Sequence, residues 1–426
     1  MRYCARCCYP ENTKPSILFD DDGVCSGCRT FETRAEKSDE FWKEKRKELG
    51  LILEEYKEKA RKLGSPYDCV LPVGGGKDSH YQAHVLTQEF KMRPLLVTYN
   101  HSYNTKVGIR NLTNIVEKFG LDMLRFTTNP KSAKKLSRYM LKKVGDITWH
   151  YHAGINTFVM QTAARYKIPL VVWGEHGMAI MFGMYNYDDN VEFTKKHRQE
   201  HLMRGFEPED IINDPENTDI TMADLSPYVY PSDEDIAKVG VRGIFLGQYD
   251  KWDAEEHVRL GIDKYQFETL QNRQTTYNLY EKIEDYYNDV HNYLKYLKFG
   301  YSRCTDHVSM DIRHQRITRE EGIEFLRKHE YQVKPSTLEP FLKFIEMSEE
   351  EFEQSMEHLR DTDIWEKQSN GKWKLLDWIG NHTNDPGVEE ARLPIKERLE
   401  IVRSPSKNNS PRSNTTDDAY DEMVFV

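Results

Sequence analysis

Asp68-Cys69-Val70-Leu71-Pro72-Val73-Gly74-Gly75-Gly76-Lys77-Asp78-Ser79 is an apolar run that breaks into three glycines and then into Lys-Asp-Ser. A short apolar run ending in turn residues predicts a buried strand, and the residues from Ser79 on predict a helix. Working outward, the same alternation repeats. Further strands are expected at 94–99, 123–126, 170–173 and 243–247, with helices at 107–119, 132–143 and 154–166 between them. Strands alternating with helices predict an α/β fold, a parallel five-stranded sheet with helices on both faces. The turn itself can grip phosphate. Glycines let the backbone come close, and a helix N-terminus offers unpaired N–H groups and a positive dipole. Lys77 adds a charge, Ser79 a hydroxyl and Asp78 a carboxylate for Mg²⁺. Taken alone, the same string would also serve an ordinary tight turn.

Around this core the chain divides by composition. Residues 1–35 form a cysteine-bearing unit and 36–65 a charged helical linker that stops at Gly64-Ser65-Pro66. The α/β domain runs over 66–272, with a polar, acidic stretch at about 184–241 that reads as an insertion or a lid. Residues 273–400 read as helical. Within them Tyr280, Ile283, Tyr287, Val290, Leu294 and Leu297 recur at helical spacing and predict one long helix. Thr318 with Glu321, and Ser348 with Glu351, predict capped helix starts. The Ser-, Asn- and Asp-rich 401–426 predicts a disordered tail.

A formal charge of −10 argues against a general nucleic-acid binder, which needs a basic footprint. No apolar run reaches the length of a membrane span, and the start lacks a secretory signal, so a cytoplasmic protein without membrane insertion is expected. In that setting clustered cysteines point to metal rather than disulfides. Cys4-x₂-Cys7 and Cys25-x₂-Cys28 have the spacing of a closed four-thiolate Zn²⁺ site, with Cys8 a competing fourth ligand. Loose thiols or a redox pair are the alternatives. Cys69 and Cys304 read as small buried hydrophobes.

Trp173-Gly174-Glu175-His176-Gly177 follows the fourth predicted strand. Ligands of open α/β sheets bind at the carboxyl ends of strands, so Glu175 is a candidate to hold Mg²⁺ or orient an acceptor. His150 and His152 are placed near the same cleft.

The Gly74–Ser79 loop resembles the S-G-G-x-D-S loop of PP-loop ATP pyrophosphatases, matching at Gly75, Gly76, Lys77, Asp78 and Ser79. It departs at Gly74, where the resemblance calls for serine, which puts one phosphate contact in doubt. The four-cysteine unit, this loop, Trp-Gly-Glu, and the late Tyr296-Leu297-Lys298-Phe299-Gly300 with Arg303, Thr305-Asp306, Ser309 and Asp311-Ile312-Arg313 together resemble one family. It is the bacterial N-acetyl-sugar amidotransferases of lipopolysaccharide and nonulosonic-acid biosynthesis, and the likeness runs over 1 to about 330. The resemblance implies ATP as cosubstrate, Lys77, Asp78 and Glu175 as catalytic residues, and Gly74, Gly75, Gly76, Lys77, Asp78 and Ser79 as nucleotide-binding residues. It implies conversion of an acetamido to an acetamidino group on a nucleotide-activated sugar. Position 2 is Arg2, not the cysteine of a terminal-amine glutaminase, and no cysteine sits in a nucleophile elbow. Ammonia is therefore expected from a separate glutaminase, with a cyclase-like channel subunit as a further partner. The alternatives are a PP-loop tRNA-modifying enzyme, disfavoured by the acidic charge, and a zinc-bearing interaction protein with a decayed ATP site.

Overall fold

The computed structural model describes residues 1–396 apart from 187, 188, 190, 332 and 333; the tail expected at 401–426 lies outside them. Five strands build the main sheet: β1 (Cys69–Pro72), β2 (Pro94–Asn100), β3 (Met123–Thr127), β4 (Leu170–Trp173) and β5 (Arg242–Phe245). All neighbours pair in parallel, in the order β3-β2-β1-β4-β5. Parallel strands need covered faces, and side chains alternate across them to supply two cores. Leu71, Leu96, Val172 and Ile244 face one core, while Val70, Val97, Val171 and Phe245 face the other.

The first core is roofed by α2 (Asp39–Lys62) and α3 (Lys77–His84), and the second by α6 (Trp149–Arg165). Ser38 starts α2 by accepting the Phe41 N–H, and the helix buries Leu49, Ile52, Leu53, Tyr56 and Ala60 as one stripe. The expected α/β architecture, with helices on both sides of a five-stranded parallel sheet, is the one observed.

The chain runs from β1 to β2 and β3 on one side. It then returns through α5 (Pro130–Val144) and α6 to place β4 on the other side of β1. The loops leaving β1 and β4 therefore lie together at the point where the strand order reverses. Such a switch point opens a crevice at the strands' carboxyl ends.

Residues 191–241 pack against this end of the sheet. Met203, Ile211, Ile220, Leu225 and Tyr228 share a core with Tyr99 and Trp149. The N-terminal unit with α1 (Ser26–Ala35) packs against residues 301–326, sharing a core with Tyr301, Val308, Ile312, Ile323 and Leu326. Thr318 and Ser348 cap their helices reciprocally with Glu321 and Glu351. No helix among the described residues is long and apolar enough to cross a membrane.

One expected element differs. The helical spacing from Tyr280 to Leu297 does not make one helix, because the helix begins only at Asn288 and ends at Phe299. Its supposed face is split. Tyr280 and Ile283 join Val107, Val258 and Phe267, whereas Tyr287, Val290, Leu294 and Leu297 enter another core with Phe341 and Phe352. The backbone over 281–287 is drawn into turns by outside partners: Thr105 donates its hydroxyl to the Ile283 carbonyl and its N–H to the Glu284 carbonyl, and Tyr286 N–H donates to Tyr103. Tertiary bonds outweighed a periodicity that was met by chance. The fifth strand also closes at Phe245, and Leu246–Gln248 turns into a short 3₁₀ helix.

Candidate functional site

The loop leaving β1 is shaped by Gly75, whose φ of +89° suits glycine. A side chain there would meet the Gly108 carbonyl at 2.8 Å, so the N-terminal turn of α4 (Lys106–Phe119) closes over the loop. Gly76 stands before the first turn of α3, and the Gly74 N–H donates to Ser79 Oγ at 3.1 Å, curling the loop onto the helix start. Position 74 is roomier, since an added Cβ would find nothing closer than Glu284 Oε1 at 3.6 Å.

Four elements converge on Lys77. Its side chain is only 3% exposed, and its ammonium bonds Asp78 Oδ2 at 2.7 Å and Glu281 Oε1 at 2.6 Å. Burial alone would discharge it, but the carboxylates of Asp78, Glu281 and Glu175 outweigh burial and hold the ammonium well above the ordinary lysine range. Asp78 Oδ1 meets His257 Nδ1 at 2.8 Å, and His257 stacks on Tyr81 at 3.7 Å. Burial pushes the Asp78 carboxyl up, yet Lys77 and His257 together keep it lowered. Glu281 likewise stays ionised against burial, through Lys77 and then Arg303. Glu175, leaving β4, takes the opposite course. Burial and the charge of Asp78, with Glu281 adding, outweigh Lys77 and push its carboxyl up to about 7. One carboxyl poised near neutrality among ionised neighbours suits proton transfer.

The structure thus brings Lys77, Asp78 and Glu175 into one charge cluster and sets Gly74, Gly76 and Ser79 along a cavity of about 250 Å³. Its far wall carries Asn100, His101, Arg125, Tyr151 and Lys282. His150 and His152 lie elsewhere: His150 Nε2 bonds Tyr103 at 3.1 Å and His152 Nδ1 bonds Thr148 at 3.2 Å. Cys69 and Cys304 are fully buried. His257, Glu281 and Arg303 were not singled out as site residues from sequence. For Glu281 the misleading signal was the apolar spacing around it, and Arg303 appeared only within the family resemblance. Mg²⁺ commonly binds one or two carboxylates plus substrate phosphates, a donor set to which Asp78, at the glycine-rich start of α3, would contribute.

The four cysteines form a second cluster. The sulfurs of Cys4, Cys7, Cys25 and Cys28 all lie within 4.8 Å of one another, and Cys7 and Cys25 are 3.7 Å apart. Four thiolates about 2.3 Å from one tetrahedral zinc would stand roughly 3.8 Å apart, so the donor set fits Zn²⁺. Cys8 is outside the cluster, its N–H donating to Ser309. Backbone N–H groups of Arg6, Cys7 and Cys25 point at Cys4 Sγ, and Arg313 reaches Cys28 Sγ at 3.4 Å. The same guanidinium donates to the carbonyls of Ile180 and Met181 in α7 (Gly177–Phe182), which follows Glu175. These donors and the positive charge suit a site of excess negative charge.

Residues 271–379 match the family described as LPS biosynthesis protein WbpG-like, C-terminal domain. An uncharacterized protein of Methanocaldococcus jannaschii is 28% identical over 121 residues, covering 28% of this chain and 41% of that protein. The chain therefore spans less than half the length of that curated relative. Among solved structures, NMN synthetase from Francisella tularensis aligns over 34% of this chain and 59% of its own, at 12% identity and a TM-score of 0.26. NH3-dependent NAD synthetase from Campylobacter jejuni, in complex with nitrate, aligns over 46% and 91%, again at 12% identity and 0.26. At those scores neither likeness adds to what the strand order and the loop establish.

Proposed function

We propose that this chain is an ATP-dependent amidotransferase of lipopolysaccharide biosynthesis that converts an acetamido group of a nucleotide-activated sugar into an acetamidino group. The observation that carries this reading is the 2.6 Å bond from Lys77 to Glu281. It ties the phosphate-gripping loop to the segment, 271–379, that matches the WbpG-like domain.

An amide carbonyl is a poor electrophile and its oxygen a poor leaving group. In this reading the amide oxygen attacks the α-phosphorus of ATP, pyrophosphate departs, and the oxygen becomes part of AMP. Loop N–H groups and Lys77 offset the charge that develops on the phosphate, a contribution typically worth about 3–4 kcal/mol per well-placed donor. Bound Mg²⁺, held by Asp78 with the phosphates, would supply further charge neutralisation. Ammonia then forms the new C–N bond, AMP leaves with the C–O electron pair, and Glu175 takes the surplus proton. A Zn²⁺ held by Cys4, Cys7, Cys25 and Cys28 has no open position and serves the fold.

The ammonia comes from a separate glutaminase, through a cyclase-like channel subunit, in the cytoplasm. The test uses the purified chain with ATP, ammonium and a panel of nucleotide-linked diacetamido sugars. Expected are acceptor-dependent pyrophosphate release and a product in which NH has replaced O. Free ammonium should support turnover, rising with pH as more of it is unprotonated, while glutamine alone should not. No pyrophosphate with any acceptor would sink the reading, and brisk turnover on glutamine would remove the separate glutaminase from it.

A further inference from the structure

Glu175 is followed at once by α7, whose first turn His176 caps by accepting the Ala179 N–H on Nδ1 at 3.3 Å. The place of that carboxyl therefore depends on what holds α7. Isolated helices below about 12–15 residues are marginal in water, and α7 has six. The carbonyls of its last turn have no partner within the helix. They are met from outside, by the unit that carries the cysteines and by the helix packed on it.

Arg313 makes the joint. Its Nη1 donates to the Ile180 carbonyl at 3.1 Å and to the Met181 carbonyl at 2.9 Å. On the other edge, Nε reaches Cys28 Sγ at 3.4 Å and Nη2 reaches Cys25 Sγ at 3.6 Å. Arg313 is 2% exposed, and no carboxylate among the described residues pairs with it. A buried charge without a counter-charge is strongly destabilising, so the sulfurs have to supply one. Four thiolates outweigh the charge of one Zn²⁺, which leaves the loaded cluster an anion of the right sign. Ser26, next to Cys25, adds a second fastening by donating its hydroxyl to the Phe182 carbonyl at 2.7 Å. Gly27 permits the close approach, since a side chain there would run into both the guanidinium and the Met181 carbonyl.

We propose that Arg313 is a positioning residue that fastens α7, and with it Glu175, to the metal-loaded cysteine cluster. The cluster then serves the reaction as well as the fold. The planar fork is what allows this, because it can face sulfurs along one edge and carbonyls along the other, which the point charge of a lysine cannot. Lys77 is held separately by Asp78 and Glu281, so the joint governs Glu175 and leaves the phosphate loop alone. For its effect on turnover the proposal rests on the role given to Glu175 in the amidotransferase reading; the fastening itself does not.

The test uses the zinc-loaded full chain. Arg313→Gln, too short and uncharged to serve both edges, should keep its zinc and the protection of the five-stranded sheet. Hydrogen exchange at the amides of 179–183 should quicken about tenfold, the equivalent of one lost hydrogen bond. Unchanged exchange there overturns the proposal. In turnover kcat should fall about 10- to 100-fold, as for a misplaced catalytic group, with the KM for ATP unchanged. Arg319→Gln is the structural control. Arg319 is 4% exposed and donates to the Cys7 and Cys4 carbonyls at 3.1 and 3.3 Å, but bonds nothing in α7. That variant should keep its kcat per folded molecule, and equal losses in the two would mean a general loosening and overturn the proposal. If Arg313→Gln loses its zinc, Ser26→Ala takes its place: α7 should again exchange faster and kcat should fall, and no change in either counts against the joint. Should the wild type release no pyrophosphate with any acceptor, the amidotransferase reading falls and exchange alone decides whether Arg313 fastens α7.

Discussion

The four-cysteine cluster and the Lys77 cluster are both buried gatherings of potential charge, yet they are built in opposite ways. Cys4, Cys7, Cys25 and Cys28 come from a segment of fewer than thirty residues and close on one another within 4.8 Å. Lys77, Asp78, Glu175, His257 and Glu281 come from four separated segments, and Lys77, Asp78 and Glu281 border the large cavity. A closed donor set leaves a metal no room for substrate, so it serves folding. An open set of ionised groups leaves one carboxyl unsettled and can do chemistry. The two are nonetheless joined. The helix Arg303–Arg313 presents Arg303 to the Lys77 cluster at one end and Arg313 to the cysteines at the other.

The largest effect expected from breaking this contrast lies on the closed side. Cys25→Ser should lose the metal and cost on the order of 5 kcal/mol, because metal binding and folding of such a unit are one event. The damage should reach residues 301–326, which share its core, while the five-stranded sheet keeps its protection. Hydrogen exchange with metal analysis measures both, and a variant with full zinc would remove Cys25 from the ligand set.

Asp78→Ala probes the open side. Turnover should fall about 100- to 1000-fold. Melting should move little beside the zinc variant, because Glu281 still holds Lys77. A collapse of the fold with normal specific activity in the surviving fraction would reverse the roles of the two clusters.

Glu175→Gln sharpens the difference through pH. The carboxyl, ordinarily near 4.5, rises to about 7 in the fold, so the folded state holds the proton more tightly than the unfolded one. Its contribution to stability is present at low pH and is lost as pH rises through about 7. The glutamine variant should therefore be more stable than wild type at pH 8, by on the order of 1 kcal/mol, with the gain fading towards pH 5. Its turnover should drop about 100-fold, and the inflection near neutrality should vanish from the rate profile. Thermal melts and rates at both pH values decide it.

Gly74→Ser should have the smallest effect. The position has room for a side chain and φ is not in the left-handed region there, so stability should stay within about 0.5 kcal/mol. A hydroxyl added beside the loop should speed pyrophosphate release severalfold, the value of one hydrogen bond of about 1 kcal/mol. An unchanged rate would mean the loop N–H groups and Ser79 suffice.

What the amino-acid sequence determined by itself was whatever depends on near neighbours. The parallel sheet followed from apolar runs punctuated by glycine, because a strand buried on both faces must be apolar throughout. The cysteine cluster followed from two Cys-x₂-Cys turns, because that spacing lets one backbone turn present two sulfurs to one ion. The capped starts at Thr318 and Ser348 followed from residues three apart. Only the tertiary structure decided that Glu281, lying in an apparent helical repeat, leaves it to meet Lys77 some two hundred residues earlier. It decided likewise that His257 holds Asp78 and that His150 and His152 turn away from the cavity. Apolar periodicity reports which residues are buried, but not in which core, and Tyr280 and Tyr287 went to different ones. The carboxyl of Glu175 shows the same limit for charge. Its position near neutrality is set by burial and by Asp78, Lys77 and Glu281 arriving through space, and no local string of residues encodes that sum.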